Sequence, residues 1–276
     1  MTRARFFVLL TLLTTLPAFG AEDAKVLVHR MVQNELAARN DHSHWMYIDS
    51  MSEDGTTKVT LVVESAQGSL ELLLSHDGRT VSKEDLAKEE AQVKNAIDHP
   101  SNMKKTQKAD QEDEDQATKM LKMLPDGFLY TVVSDDGHEV KLHFEPNPDF
   151  DPPTREAKVF HAMAGEMTIA KKEGRLAGLS GSLETNVYFG WGILGAIRKG
   201  GTFEIRQKEV GPGHWELTLL DVHIQGKALF FKTIHEQQHE IQMDYHQIPS
   251  DLTAQQAYAL LTQHAEEKAS LASVEE

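Results

Sequence analysis

From residue 158 to residue 249 the chain is a succession of short β-type runs broken by glycine: "VFHAMAGEMTIA", "RLAGLSGSLE", "NVYFGWGILG", "TFEIRQKEV", "WELTLLDVHI", "KALFFKTI" and "IQMDYHQI". No helical stretch of ten residues separates them. Parallel strands need a crossover of a dozen or more residues, so this spacing predicts an antiparallel sheet. The same chemistry begins earlier. Val59, Leu61 and Val63 alternate with Lys58, Thr60 and Val62, and after "AQG" Leu70, Leu72 and Leu74 alternate with Ser69, Glu71 and Leu73. Together they read as a hairpin with one apolar face. Two more strands are expected at Phe128 to Val133 and at Val140, Leu142 and Phe144, joined by "SDDGH". Pro146, Pro148, Pro152 and Pro153 in "EPNPDFDPPTRE" then mark a crossing loop, since proline lacks the donor a central strand needs.

Helical periodicity appears in three places. Val28, Met31, Val32, Glu35 and Leu36 predict an amphipathic helix over 24–39. Residues 82–124 read as a helical excursion from the sheet. Its first helix opens at Ser82 and Asp85 in capping-box-like spacing and ends before Pro100. A basic patch follows (Lys104, Lys105, Lys108), then "QEDEDQATKMLKMLPDGF", with its acids at the favourable N-terminal end of a second helix. Glu112 to Asp115 fit a solvated helix start, because four consecutive helical carboxylates cannot converge on one cation. After Pro249, "SDLTAQQAYALLTQ" predicts a closing helix. The expected class is α+β. The expected organisation is a signal peptide at 1–20, one domain over 21–264 with the excursion 82–124, and a frayed tail over 265–276.

The signal-peptide expectation rests on Arg3 and Arg5, the apolar run Phe6 to Leu16, Pro17 and the small residues Ala18 and Gly20. Cleavage near Gly20/Ala21 would deliver the chain to the periplasm or outside the cell. The sequence contains no cysteine, which excludes disulfides, thiolate metal sites and cysteine nucleophiles. Its formal net charge of −15 disfavours nucleic acid and anionic lipid headgroups as partners. No stretch after the leader is apolar enough for a transmembrane segment.

Three apparent motifs carry chemistry only in the right backbone. His235-Glu236-Gln237-Gln238-His239 matches H-E-x-x-H, in which a helix sets two histidines on one zinc and the glutamate acts as base. In helical projection Phe230, Phe231, Ile234, Ile241 and Tyr245 share one side, but so does Gln238. The strict alternation of Ile241, Met243 and Tyr245 with Gln242, Asp244 and His246 favours strands, with "HEQQHE" as a hairpin tip. In one continuous strand His235 and His239 would stand ~13 Å apart. A zinc peptidase using His235, His239 and Glu236 is kept as the alternative function. Gly190 to Gly195 spells G-x-G-x-x-G, yet only Ala196 to Lys199 precede the next glycine pair, too few for the helix a dinucleotide needs. "GLSGS" is not the nucleophile elbow, because glycine directly follows Ser180. No catalytic residue and no cofactor is assigned.

The order helix, hairpin, helical excursion, long antiparallel run and closing helix resembles the periplasmic lipoprotein-carrier fold. That group covers lipoprotein-sorting carriers, their outer-membrane acceptors and a related regulator of envelope stress. "LPDGFLY", "EPNPDFDPPTRE" with "VFHAMAGEMTI", and "RLAGLSGSLETNVYFGWGILG" followed by "KGGTFEI" are similar to a family of exported bacterial proteins without assigned chemistry. The resemblance implies a strongly twisted half-barrel wrapped around helices, with a concave apolar face that shelters the acyl chain of a lipid or lipoprotein. A long chain would contribute on the order of 10 kcal/mol at about 0.8 kcal/mol per methylene. On this reading Val59, Leu61, Val63, Leu70, Leu72, Leu74, Leu142 and Phe144 line the face. Leu86, Val93, Ile97, Met120 and Leu121 belong to the lid. The expected function is non-enzymatic carriage or sensing of such a ligand. A structural or interaction module with the same residues as a filled core is the other alternative.

Overall fold

The computed structural model describes residues 21–189, 195–224, 226–228 and 237–272. The expected leader, the "GWGIL" bend, and His235 with Glu236 lie outside these residues. The chain opens with α1 (Ala21–Ala38), then β1 (His44–Glu53), β2 (Thr56–Val63), β3 (Leu70–His76) and the short β4 (Arg79–Thr80). Two helices follow, α2 (Lys83–Asp98) and α3 (Pro100–Gly127), then β5 (Phe128–Asp135), β6 (Glu139–Pro146) and α4 (Arg155–His161). The remainder is β7 (Met163–Ala170), β8 (Arg175–Leu183), β9 (Val187–Phe189), β10 (Gly195–Ile197), β11 (Thr202–Gly211), β12 (His214–His223), β13 (Gly226–Ala228), β14 (Gln237–Ile248) and α5 (Ala254–Ala272).

Eleven strands form one sheet in the order β4-β3-β2-β1-β14-β12-β11-β8-β7-β6-β5, and β13-β10-β9 form a small second sheet. Every pair of neighbouring strands in the two sheets is antiparallel, as the glycine-broken β pattern requires. The β2–β3 hairpin pairs Leu61 with Leu72 and Val63 with Leu70.

Several boundaries differ from expectation. The strand β1 precedes the first one anticipated. Its opening, "HWMYI", is apolar on both faces and so shows no alternation. α3 starts at Pro100, ahead of the basic patch, since proline at the first helical position gives up only a donor that has no helical acceptor. α4 replaces the start of an expected strand: the Thr154 hydroxyl accepts the Ala157 N–H at 3.1 Å, and Ala157 and Val159 are buried. α5 runs on past residue 264 to Ala272, because Ala254, Ala257, Leu261 and Ala265 keep one buried face. Finally, Gln237 to Glu240 are not a hairpin tip. They are strand residues, paired to β12 and β1.

Cross-strand register fixes two apolar faces. Val140, Leu142, Phe144, Met167, Ile169, Leu179 and Phe203 form one core, with α1 (Val28, Met31, Val32), the end of α3 (Met123, Leu124) and α4. Followed across the ladder, Phe203 faces Val222, Val222 faces Gln238, and Gln238 faces Glu53. In β1 Glu53 alternates with Met46 and Ile48, which belong to the second core together with Leu61, Val63, Leu70, Leu72, α2 and α5. The helices therefore cover opposite faces at opposite ends of the sheet.

Candidate functional site

The thirteen residues expected to form the acyl-binding face and its lid divide between these cores. Leu61, Val63, Leu70, Leu72, Leu86 and Ile97 are buried in the second, with Val59, Leu74 and Val93 packed at its margin. Leu142 and Phe144 are fully buried in the first, and Met120 and Leu121 lie against it. So nine of the thirteen converge. The other four belong to the core on the opposite face.

His239 lies on β14 opposite Asp221 of β12 and Ser52 of β1. Residues 237–239 are extended, so they do not supply the helical turn of the zinc-peptidase motif. Gly195, which closes the G-x-G-x-x-G stretch, begins strand β10 and not a helix. Among the described residues no three His, Asp or Glu side chains are grouped so that they could hold a metal ion.

Between the two cores, the sheet's middle carries a carboxylate and aromatic cluster that sequence reasoning missed. Asp244 takes a left-handed φ of 56° where β14 holds one residue more than β1. This extra residue sets Tyr245 against Tyr47, with ring centroids 4.9 Å apart and stacked. Trp45 stands edge-on to Tyr245 at 6.1 Å and to His214 at 5.5 Å. The Tyr245 hydroxyl lies 2.7 Å from Leu217 O and 2.6 Å from Gln242 Oε1, two acceptors for one hydrogen. Glu64 accepts the Trp45 N–H at 2.8 Å, and Glu240 accepts from the side chains of Gln238 and Gln242 at 3.1 and 2.7 Å. A search for alternating strands that begins at Lys58 passes over Trp45, Tyr47 and Asp49 altogether.

Desolvation dominates the electrostatics. Burial, then the charges of Glu240 and Glu71, raise Asp49 to about 7. Burial, then Glu64, raise Glu216 to about 7, although Arg175 and His214 pull the other way. Burial also raises Glu64 and Glu240 and pushes the Tyr47 and Tyr245 hydroxyls up. Such a cluster takes up protons near neutrality.

A raised carboxylate makes the folded state bind more protons than the unfolded one, so stability falls as pH rises through the folded value. Between pH 6 and 8 Asp49 and Glu216 should together remove about 1–2 kcal/mol, after discounting for their partial exposure. His44, lowered by burial and then by His42, has the opposite sign and acts on the acid side of this window. Urea unfolding is expected to show a higher midpoint at pH 6 than at pH 8, and a flatter profile in Asp49→Asn. A midpoint that is equal or higher at pH 8 would contradict this electrostatic reading.

A separate cavity of about 380 Å³ lies over β6, β7, β8 and β11. Its lining is largely polar and includes Lys141, Glu166, Thr168, Ser180 and Arg206. Among the described residues no helix is long and apolar enough to cross a membrane. Fold and site thus define an α+β protein with one large antiparallel sheet, helices on both of its faces and a proton-accepting patch between its two cores. In comparisons with known proteins the chain matches no family model, no curated protein and no solved structure.

Proposed function

We propose that the chain is an exported, non-enzymatic binding protein of the cell envelope that carries or senses the acyl chain of a lipid or lipoprotein. The supporting observation is how little holds α2 over the apolar side of β3. Of its 16 residues only Leu86 and Ile97 are buried, with Val93 at the margin. Burial of those two side chains contributes on the order of 5 kcal/mol, less than a long acyl chain would return on taking their place. α2 and α5 share the cover of β3, so lifting α2 would open the part of the Leu70, Leu72 and Leu74 face that α5 does not hold. A carrier-like half-barrel belongs to the same proposal, since strongly twisted open sheets of more than about ten strands tend to curl.

One observation favours a second reading, an interaction module with a filled core: Val63 and Leu72 are 0% exposed. Native mass spectrometry of protein purified from a bacterial envelope fraction, followed by titration with a fluorescent long-chain fatty acid, separates the two. Co-purified acyl species and saturable fatty-acid binding are expected. Absence of both would leave the filled module as the reading.

A further inference from the structure

We infer that the cavity over β6, β7, β8 and β11 is a headgroup subsite for a zwitterionic phospholipid that carries a primary ammonium. The inference rests on the acyl-carrier reading and names its ligand. The cavity and the second core lie on one side of the sheet. Across the ladder Ser180 faces Glu204, Glu204 faces Asp221, Asp221 faces His239, and His239 faces Ser52. Ser180 and Glu204 line the cavity, while Ser52 alternates with Ile48 and Met46 of the second core. Among the described residues α2 and α5 cover this side only toward its β1–β3 end.

An apolar strip joins core and cavity. Leu72, Leu61, Ile48 and Met243 are successive partners in one row. The first three are buried, whereas Met243 has left the cover and is 41% exposed. Two residues back along β14 stands Ile241, and on the same face of β12 stands Leu219, both half-buried. Leu219 is the direct partner of Arg206, which lines the cavity. From β11 to β1 the path covers ~14 Å at about 4.8 Å per strand, so one amphiphile can reach both.

The charges of the cavity select the headgroup. Its volume of about 380 Å³ suits a small polar group. In one row Lys141 of β6 and Arg206 of β11 flank Thr168 and Gly178. In the next row Glu166 and Glu204 flank Ser180. A cation row thus runs beside a carboxylate row, ~7 Å away along the strands. Lys141 Nζ stands 3.3 Å from Glu166, and Arg206 Nε donates to Glu204 at 2.6 Å. These pairs are well exposed, so parting them costs little. A phosphate on the cation row and an ammonium on the carboxylate row give every group an equivalent new partner. A purely anionic headgroup would strand the two glutamates, and a purely cationic one would strand Lys141 and Arg206. Glu139 lines the same cavity as a further acceptor. None of the described lining residues is aromatic, so a quaternary ammonium lacks the ring face it prefers. A primary ammonium brings three hydrogen-bond donors for the carboxylates instead.

The test is titration of the delipidated full chain with three fluorescent probes of one acyl length. They are a lysophosphatidylethanolamine, a lysophosphatidylglycerol and the free fatty acid. The first is expected to bind about tenfold tighter than the other two. Gly178→Gln puts a side chain into the cavity, where an added Cβ meets nothing closer than 3.7 Å. It should abolish the preference and leave fatty-acid binding unchanged. Lys141→Ala should reduce the preference without altering a backbone position, and Met243→Gln should weaken all three probes alike. Equal affinity for the three probes, or a preference that survives both Gly178→Gln and Lys141→Ala, would overturn the subsite and leave the carrier reading in place. Binding of none of them would remove both.

Discussion

Replacing Arg175 by methionine is expected to destabilise the protein by about 3–5 kcal/mol, because it strands a buried carboxylate. Glu35 projects from the apolar side of α1, among Val28, Met31 and Val32, and is 7% exposed; Arg175 is 8% exposed. The Arg175 Nε and a terminal guanidinium nitrogen donate to the two Glu35 oxygens at 2.8 and 3.1 Å, and the Leu176 N–H donates to Oε1 at 2.8 Å. The fork pins α1 to the start of β8. Beside it the Asn34 side chain donates to the carbonyls of Glu173 and Gly174 at 3.2 and 3.1 Å, in the turn that leads into that strand. Urea unfolding of Arg175→Met, Glu35→Met and the double variant provides the check. The double variant should recover part of the loss, since it removes both desolvated charges. A single substitution costing under about 1 kcal/mol would mean that the pair is not buried as described.

The second large effect concerns backbone and not charge. Gly165 of β7 and Gly181 of β8 are cross-strand partners, set between Phe144 of β6 and Phe203 of β11 in the same row. A Cβ at Gly165 would stand 2.0 Å from the Ser180 carbonyl oxygen and 2.5 Å from the Gly181 Cα. Neither atom can swing aside as a side-chain end would, so the strands must part. Gly165→Ala is expected to cost about 3 kcal/mol, at the upper end for overpacking. The matched control is Gly178→Ala on β8, where an added Cβ meets nothing closer than 3.7 Å. That change should cost under about 1 kcal/mol in the same thermal-unfolding experiment. Equal losses at the two glycines would contradict the close approach of β7 and β8 at this row.

Much of the architecture was legible in the residue pattern. Alternation in "KVTLVV" and "LELLLSH" predicted a hairpin, and β2 and β3 form it. Ser82 caps α2 through the Asp85 N–H at 3.1 Å, as its spacing suggested. Glu35 already stood out as a charged residue on an otherwise apolar helical face. Its partner did not, because Arg175 lies 140 residues away.

A strand's sequence determines which residues share a face, and a helix's which residues share a stripe, because both follow from the local period of the backbone. That local rule was enough for an antiparallel α+β chain and for most of its elements. It does not say which strands become neighbours or which face is covered. Only the tertiary structure set β14 between β1 and β12 and divided the apolar residues between two faces. The same pairing gathered Asp49 with Glu240, and Asp221 with His223 and His239. Such pairings are chosen by packing over the whole sheet, where residues far apart in sequence compete for the same neighbours.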